Sequence, residues 1–231
     1  MKKWSIWIWI LLGAMFVVWL LHCFAFSSYV MLSSDMKNTL LPGERIIVNK
    51  WSYGLRTPYM SLFGYHRWGE RSIQRGDVVV FNNPLEQNNK TIDKKDIFIY
   101  RCLAGPGDTL SVDSIKLLIP YHGCSITVNN TNRTLLCNML NLHEKKKAII
   151  RHDTLFVDNK PLKSYIFQND YYWMVSDNAS NISDSHYFGF VPFNHIIGRA
   201  TFIWFSKDNQ KNIFNGYRWN RFFKTIKPYK E

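Results

Sequence analysis

A mainly β domain behind one membrane-spanning helix is the architecture this sequence predicts. Three observations point to it: an N-terminal run without charge, a series of short β-branched and aromatic segments, and turn residues between those segments. From Trp4 to Phe26 there is no Asp, Glu, Lys or Arg, a run longer than the ~20 residues a helix needs to cross a hydrocarbon core. Downstream, Glu44-Arg45-Ile46-Ile47-Val48 follows Pro42-Gly43, and Asp77-Val78-Val79-Val80-Phe81 follows Arg75-Gly76. Both read as strands entered from a turn.

The N-terminal run carries Trp4, Trp7 and Trp9 near one end and Trp19, Phe24 and Phe26 towards the other, the arrangement of rings at two headgroup boundaries. Lys2 and Lys3 precede it, and short basic flanks stay cytoplasmic. The expected organisation is therefore a cytoplasmic stub over 1–3, an anchor over 4–26 and an outward-facing domain over 27–231. A cleaved leader is the alternative, but the apolar run exceeds the ~15 residues of a leader's core. With 231 residues, 46% of them hydrophobic, the chain has material for one real core. Its net charge of +12 suits an anionic membrane surface. No finger, RNP-like or helix-turn-helix pattern is present, which excludes nucleic acid as the partner.

Further along, Asp96 to Cys102 alternates, with Ile97, Ile99 and Arg101 on one face and Phe98, Tyr100 and Cys102 on the other. It ends at the turn Gly105-Pro106-Gly107-Asp108. More strands are expected at 148–150, 154–157, 171–175 and 198–205, giving an all-β domain with irregular loops. Two stretches read as loop insertions, about 85–95 and about 116–147. Cys124 and Cys137 either close a small loop as a disulfide or remain free thiols. The tail over about 217–230 places Arg218, Arg221, Lys224, Lys227 and Lys230 among Trp219, Phe222 and Phe223. It either rests on the membrane as a basic amphipathic segment or tucks its aromatics into the sheet.

Four boxes occur in order. The first is Ser33-Ser34-Asp35-Met36-Lys37-Asn38-Thr39-Leu40-Leu41-Pro42-Gly43. The second is Arg75-Gly76-Asp77-Val78-Val79-Val80-Phe81. The third is Tyr100-Arg101-Cys102-Leu103-Ala104-Gly105-Pro106-Gly107-Asp108. The fourth is Ser176-Asp177-Asn178, leading to Ser183-Asp184-Ser185-His186. Together they resemble the boxes of bacterial type I signal peptidases, the membrane Ser/Lys proteases that cut leader peptides from exported proteins. The resemblance runs from the anchor to about Ser206. It implies a single-pass protein of the bacterial inner membrane whose large domain is periplasmic or otherwise extracytoplasmic. It also implies an apolar surface against the outer leaflet and a leader peptide held as an added strand. No metal and no cofactor is implied.

The departures from that family pattern fall on its chemistry. The nucleophilic serine's place is taken by Asp35, the general-base lysine's by Tyr100, and the lysine-orienting serine's by Ile182. Asn38 stands for a proline, Ser176 for a glycine, and Ala179 and His186 for arginines. A serine hydroxyl needs a base to remove its proton, and a lysine serves only when burial keeps it neutral. A phenol with a reference pKa of ~10 is a poor base. Ser33 matches the position whose hydroxyl helps build the oxyanion hole. Ser34, one residue from Asp35 on a strand, is expected to point to the opposite face. Lys37, Lys50, His186 and His195 are the remaining basic candidates. Met36, Asp177 and Asp184 are expected to support the site or its peptide groove. The expected role is a catalytically inactive homologue, with Tyr100 donating to Asp35 or with both positions simply drifted. It would bind inner-membrane lipid, extended or leader-like peptides, or another membrane or export protein. The alternative is an active leader peptidase with non-standard groups.

Overall fold

A computed structural model of the chain describes residues 2–85, 91–112, 115–178, 184–212 and 214–228; within the N-terminal helix, side chains are described over 6–19. That helix, α1, is Lys2–Phe24. Its large apolar side chains from Ile6 to Trp19 stand between 48% and 71% exposed. No polar face interrupts them. Among the described residues no helix is long and apolar enough to cross a membrane.

The β prediction holds. Eight strands form the main sheet: β1 (Phe26–Val30), β2 (Glu44–Asn49), β3 (Val78–Asn82), β4 (Ile97–Ala104), β5 (Tyr171–Val175), β6 (Val191–Pro192), β7 (Ile196–Ser206) and β8 (Lys224–Thr225). Their order is β1-β2-β7-β3-β4-β5-β6, with β8 against β7, and every pairing is antiparallel. All five residues of β3 are buried, as its unbroken Val-Val-Val-Phe run requires of a strand covered on both faces.

β7 does most of the shaping. Its register shifts at Ile196/Gly198, Ala200/Phe202 and Ile203/Phe205, and such bulges bend and twist a strand. At Gly198 the neighbouring strand end comes so close that a Cβ would lie 2.4 Å from the Asn49 carbonyl oxygen; only glycine permits that approach. The sheet curls as a result, so that β1 and β4, separated by three strands, line one groove. Ile46, Val48, Val79, Phe81, Met174 and Ile196 fill the space inside the curl.

Glu44, fully buried at the start of β2, accepts hydrogen bonds from Leu41 N (2.9 Å), Ser206 Oγ (2.8 Å) and Arg221 Nη2 (2.8 Å). Arg221 belongs to the C-terminal tail, and Phe222 and Tyr217 of that tail pack on Phe205 at 5.5 and 6.0 Å. Of the two readings of the tail, its backbone joins the sheet through β8 and Phe222 packs on it, while Trp219 and Phe223 stay 72% and 73% exposed.

The stretch 116–147 is more ordered than a loop insertion. It contains a strand at Ser125–Thr127 and the helix α2 (Arg133–Leu142). Leu136, Met139 and Leu140 of α2 are buried against Ile119, Leu155, Phe167 and Tyr171 in a second core. Their i, i+3, i+4 spacing is an apolar helical stripe. Glu144, just beyond α2, accepts from the Tyr171 hydroxyl at 2.7 Å and the Tyr165 hydroxyl at 3.0 Å. Cys124 and Cys137 are both free thiols: the first is buried, whereas the second lies on α2 beside Asn141 and packs against the second core. Of the stretch 85–95, residues 86–90 lie outside the described residues, and Ile92–Lys94 is a short helical turn.

His195, buried between the two cores, donates from Nδ1 to the Asn82 carbonyl at 3.0 Å. Burial first, and the charge of Lys95 second, push its pKa down to about 3. A histidine that stays neutral when folded but titrates near 6.5 when unfolded contributes stability above pH 6.5. That stability is lost as pH falls towards 3, because the unfolded chain takes up the proton. Urea titrations are expected to show stability falling by about 1 kcal/mol per pH unit below pH 6 for this group. His195→Leu, whatever its effect at neutral pH, should give a shallower slope by that amount; an unchanged slope would remove His195 from the acid response.

Candidate functional site

β1 ends at Val30, and the chain then bends through Ser33-Ser34 into a tight turn. Met31 N donates to Glu44 O and Gly43 N to Met31 O, both at 2.8 Å, so the ends of this loop are closed like a clasp. Inside it Thr39 N donates to Met36 O at 2.8 Å. Met36 is fully buried and pins the loop to the core of the curled sheet. The expected strand geometry at Ser33 and Ser34 is corrected here: both lie in the bend, so strand alternation does not govern where they point. Ser33 is exposed and lines the groove together with Asp35. Ser34 is exposed, and its carbonyl accepts from Asn178 Nδ2 at 3.2 Å.

Asp35 and Tyr100 meet. The Tyr100 hydroxyl donates to Asp35 Oδ2 at 2.8 Å, with Asp35 9% and Tyr100 2% exposed. Burial, then the hydrogen bond to Asp35 and its charge, raise the pKa of the phenol well above its ordinary value. It is a fixed donor and not a base. Phe81, Phe98 and Phe188 surround its ring with centroids 6.0, 5.8 and 5.9 Å away. Cross-strand pairing of Phe81 with Phe98 supplies two walls of this box; the helical turn α3 (Ser185–Phe188) supplies the third.

On the opposite face of β4, Arg101 holds the loop to the fourth box. Its Nε and Nη2 reach the two Asp177 carboxylate oxygens at 2.7 and 2.6 Å, a bidentate ion pair. Nη2 also donates to Thr39 Oγ1 at 2.8 Å and Nη1 to Gly76 O at 2.6 Å. Thr39 Oγ1 donates in turn to Asp177, and Asn38 Nδ2 donates to the Asp177 carbonyl at 2.6 Å. Ser176, where the family pattern has glycine, donates from Oγ to the Asp35 carbonyl, to which Asn178 N also donates at 2.9 Å. The sequence flagged Ser176 only as a departure; its hydroxyl is one of the ties that hold the Asp35 turn. Asp184 caps α3 by accepting from His186 N at 3.0 Å, and it also accepts from Ser176 N at 3.1 Å and His186 Nδ1 at 2.8 Å. Asp177 and Asp184 are thus scaffolding around the site. Ile182 and Ala179 lie outside the described residues.

The groove has a volume of about 220 Å³, with Val30, Met31 and Leu32 on one bank and Ile97, Phe98 and Ile99 on the other, and ends at Asp35 and Tyr100. β5 pairs with β4 only from Arg101 onward. Among the described residues, the Ile97–Tyr100 half of β4 therefore has a strand neighbour on its β3 side alone. Neither Lys37, Lys50, His186 nor His195 lines the groove. No group of three or more His, Cys, Asp or Glu that could hold a metal occurs among the described residues. Chemically, the site offers a hydroxyl at Ser33 and a carboxylate capped by a phenol, and among the described residues no lysine lines the groove.

The model of the family described as "Signal peptidase, peptidase S26" matches residues 4–205. The chain is similar to the signal peptidase I of Haemophilus influenzae, at 27% identity over 91% of this chain and 72% of that protein. It is 30% identical to signal peptidase I of Buchnera aphidicola subsp. Schizaphis graminum, covering 85% and 73%, and 29% identical to that of Pseudomonas aeruginosa, covering 85% and 71%.

The Asp35–Tyr100 contact is expected to contribute measurably to stability. Tyr100→Phe should destabilise the domain by about 2 kcal/mol, since a buried carboxylate loses a donor. Paired with Asp35→Ala in a double-mutant cycle read by urea unfolding, the losses should fall short of additivity by about 1 kcal/mol or more. Additive losses would mean that the pair does not act as a unit.

Proposed function

Since the chain belongs to the signal peptidase family, peptidase S26, we propose that it is a membrane-anchored member that binds extended, leader-like peptide segments without cleaving them. The observation that carries this reading is the 2.8 Å hydrogen bond from Tyr100 to Asp35. It fills the place of nucleophile and base with two groups that stabilise each other and activate neither. The groove supports the binding half. Its banks are apolar, and the free edge of Ile97–Tyr100 presents main-chain groups on which a peptide can add as a strand. The anchoring half rests on α1, whose residues Ile6 to Trp19 are apolar and exposed on all sides, a surface that calls for lipid around it. Lys2 and Lys3 ahead of it support a cytoplasmic start with the β domain outside. That geometry fits the bacterial inner membrane, with lipid and an exported or envelope protein as neighbours.

A second reading is favoured by the relatives, which bear the name signal peptidase I: an active leader peptidase in which Ser33, exposed in the groove, attacks. One assay separates the two. The purified protein in detergent is expected to leave a leader-peptide substrate uncut. Cleavage that survives Asp35→Ala and Tyr100→Phe but is lost in Ser33→Ala would establish the second reading. The triple variant Asp35→Ser, Tyr100→Lys, Ile182→Ser should cut weakly while each single restoration stays inert, because nucleophile and base act as a unit. The Phe81, Phe98 and Phe188 box favours this, since an apolar surround lowers a lysine's pKa.

Orientation has its own test. Protease added to intact spheroplasts is expected to digest the chain from about residue 27 onward. A protected β domain would overturn the placement.

A further inference from the structure

Away from the peptide groove, a cavity of about 250 Å³ lies between β1 and a hairpin formed by Leu55–Arg56 and Arg67–Trp68. Ser27 and Tyr29 of β1 line one wall, Lys50 and Arg56 bring two cations, and Asp93 is the one carboxylate in its described lining. Lys50 N donates at 3.0 Å to the carbonyl of Ala25, the residue that follows α1. Arg56 and Arg67 stand directly opposite each other across the hairpin. Like charges so placed repel, and neither has an ion-pair partner among the described residues. Arg67 is buried and commits its donors to carbonyls: Nη1 to Tyr53 and Gly54 at 3.4 and 3.3 Å, Nη2 to Ile196. Arg56 Nη1 donates to Asn82 Oδ1 at 3.0 Å and to the Asn194 carbonyl at 3.4 Å. Its Nε and Nη2 make no hydrogen bond among the described residues, and neither atom is sealed from solvent.

The charges here do not balance within the protein. Burial first, and the charge of Arg67 second, push the Arg56 pKa down to about 10, and the opposing pull of Asp93 is weaker than that push. Asp93 Oδ1 is itself buried without a partner. A desolvated guanidinium with no carboxylate against it is costly, and a bound anion relieves that cost. Nε and Nη2 form one edge of the planar fork that meets a phosphate with two parallel hydrogen bonds. We propose that this cavity binds a phosphate group, with Arg56 Nε and Nη2 donating to two of its oxygens and the Lys50 ammonium adding a second positive charge. Two sources carry that chemistry. One is the headgroup of an anionic phospholipid, which the closeness of Lys50 to the end of α1 favours; the other is free phosphate. The lipid source alone rests on the reading of α1 as a membrane anchor.

The probes are inorganic phosphate and glycerophosphoglycerol, the deacylated headgroup of phosphatidylglycerol. Each is titrated calorimetrically into the full-length protein in an uncharged detergent and a chloride buffer. Both are expected to saturate one site and to compete for it. Tighter binding of the phosphodiester assigns the site to lipid, and tighter binding of inorganic phosphate assigns it to the free ion. Arg56→Gln should weaken either probe about ten-fold, since a charge-assisted pair of hydrogen bonds is lost, and Lys50→Gln several-fold. Arg151→Gln, on the separate Ala148–Arg151 strand outside the main sheet, removes the same net charge and should leave both affinities unchanged. Arg56 also bonds to Asn82 and Asn194, so folding is checked by thermal unfolding. Lys50→Gln leaves those two bonds in place and decides the matter if Arg56→Gln misfolds. No saturable binding of either probe would overturn the proposal, as would undiminished affinity in Lys50→Gln and a folded Arg56→Gln. An equal loss in Arg151→Gln would also overturn it, since it would reduce the effect to overall surface charge.

Discussion

Everything around the candidate site depends on where the Arg101 guanidinium is held. It stands in the middle of β4, the strand that also carries Tyr100, and it bonds to four separate parts of the chain. Asp177 of the fourth box takes two of its N–H groups, Thr39 of the site loop a third, Gly76 ahead of β3 a fourth, and the Lys227 carbonyl of the tail lies at 3.5 Å. Arg101 and Asp177 are only 10% and 11% exposed at their side chains. A buried pair of this kind is costly to form, and removal of one partner leaves the other charged and stranded. Only a planar fork of donors meets a carboxylate and a hydroxyl together, which lysine does not provide.

That clamp keeps the loop bearing Asp35 ordered beside β4. The loop bearing Asp35 is fixed from behind by Thr39, Asn38 and Asp177, and from the side by the Ser176 hydroxyl on the Asp35 carbonyl. A carboxylate at position 35 stands beside the apolar box of Phe81, Phe98 and Phe188, where an unpaired charge is costly. The phenol at Tyr100 supplies a donor at 2.8 Å while its ring remains compatible with the box. Neighbouring residues on a strand point to opposite faces. Arg101 can therefore keep its structural duties on one side of β4 whatever stands at Tyr100 on the other.

The two cores divide the labour. The curled sheet, bent by the irregularities of β7, makes the groove between β1 and β4. The second core, organised by α2 and by Glu144 beneath Tyr165 and Tyr171, supports the outer end of β5. α3 joins them: its cap, Asp184, also binds Ser176 N, and its Phe188 closes the box around Tyr100. Changes in the second core are thereby one contact from the site.

The sequence by itself determined the strands, because alternation and turn residues are local properties. β2, β3, β4, β5 and the long β7 all fall on segments readable from Val, Ile, Phe and Tyr between Gly, Pro and Asp. It also determined the family, since the four boxes are contiguous strings. α2 was less legible: Leu136, Met139 and Leu140 give a stripe of only ten residues between polar loops, and tertiary packing is what selects helix for so short a stripe. Other features had no local signal. The curl of the sheet depends on bulges that exist only once β7 pairs with β2 and β3. The box needs Phe188 brought beside Phe81 and Phe98 from far along the chain, and the role of Ser176 needs Asp35 across a separation of 141 residues. Whether Asp35 and Tyr100 had drifted or paired, and whether the tail left the sheet or joined it, was therefore decided by tertiary structure alone. A hydrogen bond or a ring contact between distant residues follows from the path of the backbone, which no local pattern encodes.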